Sequence, residues 1–278
     1  MKLLIARNLA KAWLLLLGTC AVLGALGWVL GGYRLLSVFA FCGLLLGLAV
    51  YWAADRAVLA IVRARELPSG EAPAVHSALE RISVRAGIAK PRLYVIESGH
   101  PHALSAGRGP HSATIALSSG ILTLLDPAEL DGVLAHEVAH FRHRDVLVQS
   151  AVVLIASWLV EATRLGGFLQ RGLLFVLGPV AAAFVHLMLS PRREFAADRT
   201  AADLCGSPHG LAGALVRLEQ AGELIRFTGS PVAEPVYIVN PFAEEGLAGL
   251  FVTHPPVGER VERLRALDPE WRQRLRAA

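Results

Sequence analysis

Charged residues are absent from two long stretches near the start of the chain. Residues 12–30 and 35–54 carry none over 19 and 20 positions. Each stretch is long enough to cross a hydrocarbon core of about 30 Å as an α-helix rising about 1.5 Å per residue. Gly31-Gly32-Tyr33-Arg34 joins them. So short a polar turn predicts a helical hairpin with both ends on one side. A cleaved signal peptide has a shorter apolar core and no second span directly behind it. Two later runs, 146–160 and 172–190, are interrupted only by Gln149, Ser150 and Ser157 and by His186 and Ser190. They predict a second hairpin that spans; a re-entrant or buried hairpin is the alternative.

Between and after these runs the pattern becomes amphipathic. Ala72, Val75, Leu79 and Ile82 recur at helical spacing over 72–86. Arg92–Ile96 and Ala113–Leu117 read as short strands, with a Gly- and His-containing loop between them. Asp126-Pro127-Ala128-Glu129 is a helix start, with a capping Asp, a first-turn Pro and a Glu at the third position. Ser190-Pro191 predicts another. Val257, Val261, Leu264 and Leu267 form one stripe over 256–267. The fold class is mainly α with a small β-sheet (α+β), on a multi-span helical membrane anchor. The divisions are an N-terminal hairpin (1–54), a first polar part (55–145), a second hairpin (146–190) and a second polar part (191–278). Both polar parts lie on one side and can share one globular domain.

Composition narrows the class. Hydrophobic residues make up 54%, charged residues 18%, and the mean hydropathy is +0.49. A soluble domain carries about 25% charged residues. Disorder is excluded, and so is an ordinary soluble chain. The net charge of +4 is too small and too scattered for a nucleic-acid surface. Three cysteines without ligand spacing make no disulfide framework. Lys2, Arg7, Lys11, Arg56, Arg63, Arg65, Arg142, Arg144, Arg192 and Arg193 flank the spans on one side; Arg34, Arg164 and Arg171 flank them on the other. The positive-inside rule therefore puts both termini and both polar parts in the cytoplasm.

The helix opened by Asp126 contains His136-Glu137-Val138-Ala139-His140. Histidines at i and i+4 share one helical face, so both imidazoles reach one ion. Glu137 stands beside them, placed to take a proton from a metal-activated water. Leu130, Val133, Leu134, Val138 and Phe141 make the helix apolar around the motif. Buried His and Glu side chains need partners, and a metal supplies one. Glu194, one turn into the helix after the second hairpin, is the candidate third ligand; two His and one carboxylate leave a position open. Asp198, four residues on, is placed to bond a ligand imidazole. Asp145 reads as a cap or as a partner of Arg142 or Arg144.

Pro101 to Asp145, Glu194 to Asp198, and Thr253-His254-Pro255-Pro256 up to Arg260 together resemble the HtpX-type membrane zinc metalloproteases, relatives of the CAAX prenyl endopeptidase. The resemblance spans most of the chain. It implies a gluzincin-like zinc endopeptidase in the bacterial inner membrane, multi-pass, with its site in the cytoplasm. It implies one zinc ion per chain, protein or peptide substrates, and a role in membrane-protein quality control. His136, His140 and Glu194 then hold the metal and Glu137 is the base. His254 falls on a family His near the scissile carbonyl, and Arg260 on an Arg near substrate. The family's Asn-Ala-Phe-Ala-Thr-Gly is here His102-Ala103-Leu104-Ser105-Ala106-Gly107, so His102 replaces an Asn that contacts substrate. The strand Ala113–Leu117, with Ala113 and Ile115 as contacts, is expected to be the sheet edge that pairs with an extended substrate. A receptor-type membrane metallopeptidase and a catalytically silent scaffold are the alternatives. The sequence is silent on oligomeric state.

Overall fold

A computed structural model describes residues 2–109, 111–152, 179, 182–183, 185–224 and 254–270. Most of the runs at 146–160 and 172–190 lies outside the described residues. Helix α1 (Lys2–Ile61) is broken at Gly31 and Gly32. Gly32 has φ 64 and ψ −150, a conformation open only to glycine. The chain reverses there: a Cβ on Gly24 would touch Cβ of Ala40 at 3.4 Å, whereas a straight helix would hold the two residues about 24 Å apart. Cys20–Ala53 is apolar and long enough to cross a membrane, and its Leu, Val and Trp side chains are largely exposed.

Strands β1 (Arg65–Glu66), β2 (Arg92–Ile96), β3 (Ala103–Ala106) and β4 (Thr114–Ser118) form one mixed sheet in the order β1-β2-β4-β3. β4 runs parallel to β2 and antiparallel to β3. The segment expected to be an edge is therefore interior, with both of its ladders occupied. The edges are β1 and β3, and β3 lies in the stretch expected to be loop. Side chains alternate across the sheet with period two. Leu93, Val95, Ile115 and Leu117 join the main core, while Ile96, Leu104, Ala106 and Ala116 pack on Val58 and Leu59 of α1. The polar end of α1 thus covers one face of the sheet.

The other face meets α2 (Pro73–Ala86) and α4 (Pro127–His143); the short α3 (Ser119–Leu124) leads from β4 toward α4. The predicted cap at Asp126 is a full capping box: Asp126 Oδ1 accepts from Ala128 N and Glu129 N, and Glu129 Oε2 from Asp126 N. α4 then packs against α5 (Arg192–Cys205) and α6 (His209–Leu224), and α7 (Val257–Ala266) against α5 and α6. Pro191 is already helical at the start of α5, and Ser190 Oγ accepts from Arg192 N at 3.4 Å, a long version of the expected cap. One core joins both polar parts: Leu134 and Phe141 of α4, Ala201 of α5, Leu215 of α6 and Leu264 of α7. Each fully buried Leu or Phe contributes about 1.5–3 kcal/mol. Asn8 near the start of α1 donates to the His143 carbonyl at 2.9 Å, tying α1 to the end of α4.

Candidate metal centre

α4 delivers the two histidines. Nε2 of His136 and Nε2 of His140 point at each other 3.1 Å apart, both rings buried. α5 brings Glu194, which has no exposed surface. Its Oε2 lies 3.5 Å from His136 Nε2 and its Oε1 3.8 Å from His140 Nε2. Tetrahedral zinc, with bonds of about 2.0–2.1 Å, holds its ligand atoms about 3.3 Å apart. Among the described residues neither Glu194 oxygen has a hydrogen-bond partner. Two facing nitrogens and a buried carboxylate with unbonded oxygens fit a divalent cation, and the donor set is that of zinc with an open position.

The rear nitrogens of both rings are held. His136 Nδ1 lies 3.0 Å from Asp198 Oδ1. Asp198 is clamped by Arg260, whose Nε and Nη2 donate to its two oxygens at 2.9 and 2.7 Å. Arg260 is completely buried on α7, and this paired geometry offsets the cost of burying both charges. His140 Nδ1 lies 3.1 Å from Asp145 Oδ2 and 3.2 Å from Oδ1. Sequence reasoning read Asp145 as a cap or a partner for Arg142 or Arg144; its side chain instead meets His140. The signal lies in the helix end. Arg144 leaves α4 in the left-handed conformation, φ 58, and turns Asp145 back toward the ring. Arg193 places its Nε 3.2 Å from Glu194 Oε1.

These contacts set the charges. Burial alone would depress the His136 pKa, but the carboxylates of Asp198 and Glu194 beside its two nitrogens raise it from 6.5 to about 9. Burial would raise Glu194; the charges of His254, Arg193 and His140 hold it well below the usual carboxylate range. Against the same burial, Arg260 keeps Asp198 low and His140 keeps Asp145 low. The site thus keeps carboxylates ionised in an apolar interior.

Glu137 is buried on α4 directly after His136. His254, just ahead of α7, places Nδ1 3.1 Å from Glu194 Oε2. His136, His140, Glu194, Asp198, His254 and Arg260 therefore converge. His102 immediately precedes edge strand β3. Its amide donates to Ser118 Oγ, its Nδ1 sits 2.8 Å from the His100 carbonyl, and burial lowers its pKa to about 4. Ala113 and Ile115 do not form a substrate edge: the Ala113 carbonyl accepts from Arg92 N at 3.0 Å, and Ile115 pairs with Leu93 and Ser105.

Residues 69–268 match the model of peptidase family M48. The chain is 36% identical over 278 residues to a protein named Protease HtpX homolog from Pelotomaculum thermopropionicum, covering 94% of this chain and 99% of that one. It is 38% identical to the Protease HtpX homolog of Persephonella marina, over 90% of this chain and 94% of that one. For the Pyrococcus abyssi homologue of the same name the identity is 36%, over 89% and 91%. In fold it is similar to the crystal structure of S. mikatae Ste24p, with TM-score 0.50 and 19% identity, over 95% of this chain and 66% of that one.

Proposed function

The chain belongs to peptidase family M48, and from that premise we propose a zinc endopeptidase of the bacterial inner membrane that cleaves misfolded or membrane proteins in quality control. The observation that carries this is the convergence of His136 Nε2, His140 Nε2 and the Glu194 carboxylate, with Glu137 on the same helix. One zinc ion held by these three ligands would supply Lewis acidity to the attacking water and the scissile carbonyl. Glu137 takes the proton of that water and passes it to the departing amine. His254 hydrogen-bonds the developing oxyanion. Asp198, clamped by Arg260, and Asp145 hold the two imidazoles in the tautomer that presents Nε2. The free edge of β3, just after His102, pairs with an extended peptide as an added strand.

The membrane part of the proposal is a multi-pass anchor of two hairpins, with the site and both termini cytoplasmic. It is supported by the reversal at Gly31–Gly32 and by the exposed apolar surface of Cys20–Ala53. Reporters at Arg34 and Gly166 test it, because both positions should read as external. The activity test uses the detergent-purified chain, zinc and an unfolded model protein, beside Glu137→Gln. Wild type alone should cleave while both proteins bind zinc. Equal cleavage by both would overturn the assignment of Glu137.

A further inference from the structure

Behind the metal centre lies a small cleft lined by Arg7, Lys11, Asp145, Met188, Arg192 and Arg193, among others. Its volume is about 60 Å³. A single water needs roughly 10–15 Å³ by the same measure, so the four oxygens of a phosphate group fit. Four cations face one carboxylate there. That carboxylate, Asp145, is engaged by His140. Arg193 is buried, with its Nε on Glu194. Lys11 Nζ donates to the Met188 carbonyl. Among the described residues no carboxylate forms an ion pair with Arg7, Lys11 or Arg192. Gathering like charges against apolar side chains is unfavourable unless an anion joins them.

We propose that this cleft binds an anionic phosphate group presented by a phospholipid headgroup. Its position favours a lipid source over free phosphate. Lys11 is the last charge before the uncharged residues 12–30. Val148, Met188 and Leu189 form a buried apolar wall beside the cations. A basic pocket between helices at the cytoplasmic border of an apolar span has the form that headgroups occupy. The site is separate from peptide hydrolysis but shares Asp145 and Arg193 with the surroundings of the metal ligands.

The test uses the full chain in nanodiscs of phosphatidylcholine with and without phosphatidylglycerol. Thermal unfolding is followed, and lipid retained after extraction is counted by native mass spectrometry. Phosphatidylglycerol should raise the unfolding temperature and remain bound to wild type. In Arg7→Gln/Lys11→Gln its affinity should fall about thirtyfold, the effect of two basic contacts. Arg192→Gln, which removes an exposed side chain, should lose part of it and covers failure of the double variant to fold. Arg56→Gln/Arg63→Gln removes equal charge on the same side and should bind as wild type does. An equal loss in that control means diffuse attraction and overturns the site. So does undiminished binding in both cleft variants. Inorganic phosphate reproducing the whole stabilisation in detergent would overturn the headgroup as its source.

Discussion

Asp145 Oδ2 lies 3.1 Å from Nδ1 of His140, a residue only five positions before it in the chain. The contact exists because α4 ends at Arg144 in a left-handed conformation, which folds the next side chain back over the last turn. Asp198 does the same for His136 from a different helix. Each metal-facing nitrogen thus has a carboxylate behind it, which fixes the tautomer and strengthens the ligand. Asp145→Asn keeps the shape and removes the charge. It should weaken zinc binding about 10–100-fold, seen as loss of metal at a lower chelator concentration. An unchanged chelator midpoint would refute the role.

Arg260 and Asp198 form a buried pair whose members depend on each other. Arg260→Met leaves a buried carboxylate without its cation and should cost about 3–5 kcal/mol. Adding Asp198→Asn removes the stranded charge, so the double variant should unfold at a higher temperature than Arg260→Met alone. Additive losses would mean that the two side chains are not coupled.

How far the sequence disclosed this arrangement varied with the locality of the signal. The first hairpin was legible because two uncharged runs and a Gly-Gly turn lie in one continuous stretch. The capping box at Asp126 and the helical spacing of His136 and His140 are equally local. β3 was not legible. Ala103–Ala106 is four residues long and buried on both faces, so it lacks the alternation that marks a half-buried strand. The error over β4 has another cause. Strand order depends on which partners arrive on each side, and nothing in Ala113–Leu117 itself distinguishes an edge from a centre. Asp198 could be placed from helical spacing; Asp145 could not, because its orientation depends on one residue's φ.

Proton and metal compete for His136. In the metal-free protein its pKa is raised from 6.5 to about 9. A raised pKa contributes stability fully present below pH 6.5 and lost as the pH climbs through 9. Zinc needs the neutral imidazole, so below that range binding must expel a proton. Apparent zinc affinity should therefore rise by up to about tenfold per pH unit from pH 7 to 9. The rise in unfolding temperature on adding zinc should widen over the same interval. A gap constant with pH would contradict a protonated His136 in the empty site.

The metal helix is positioned by a close crossing of α4 and α6. A Cβ on Gly132 would stand 2.5 Å from the backbone N of Leu211, and one on Gly210 would stand 2.2 Å from the carbonyl O of Ala128. Both neighbours are backbone and cannot rotate aside, so added atoms must push the helices apart. Gly132→Ala should cost about 1–3 kcal/mol through overpacking, despite the better helix propensity of alanine. Because Gly132 lies one turn before His136 on α4, the displacement should also loosen zinc, read as faster metal loss to chelator. Gly258 on α7 is the control, since a Cβ there meets nothing within 4 Å. Gly258→Ala should be neutral or stabilise by up to about 1 kcal/mol. If Gly132→Ala unfolds no earlier than Gly258→Ala and holds zinc as wild type does, the α4–α6 crossing is not what sets the ligand geometry.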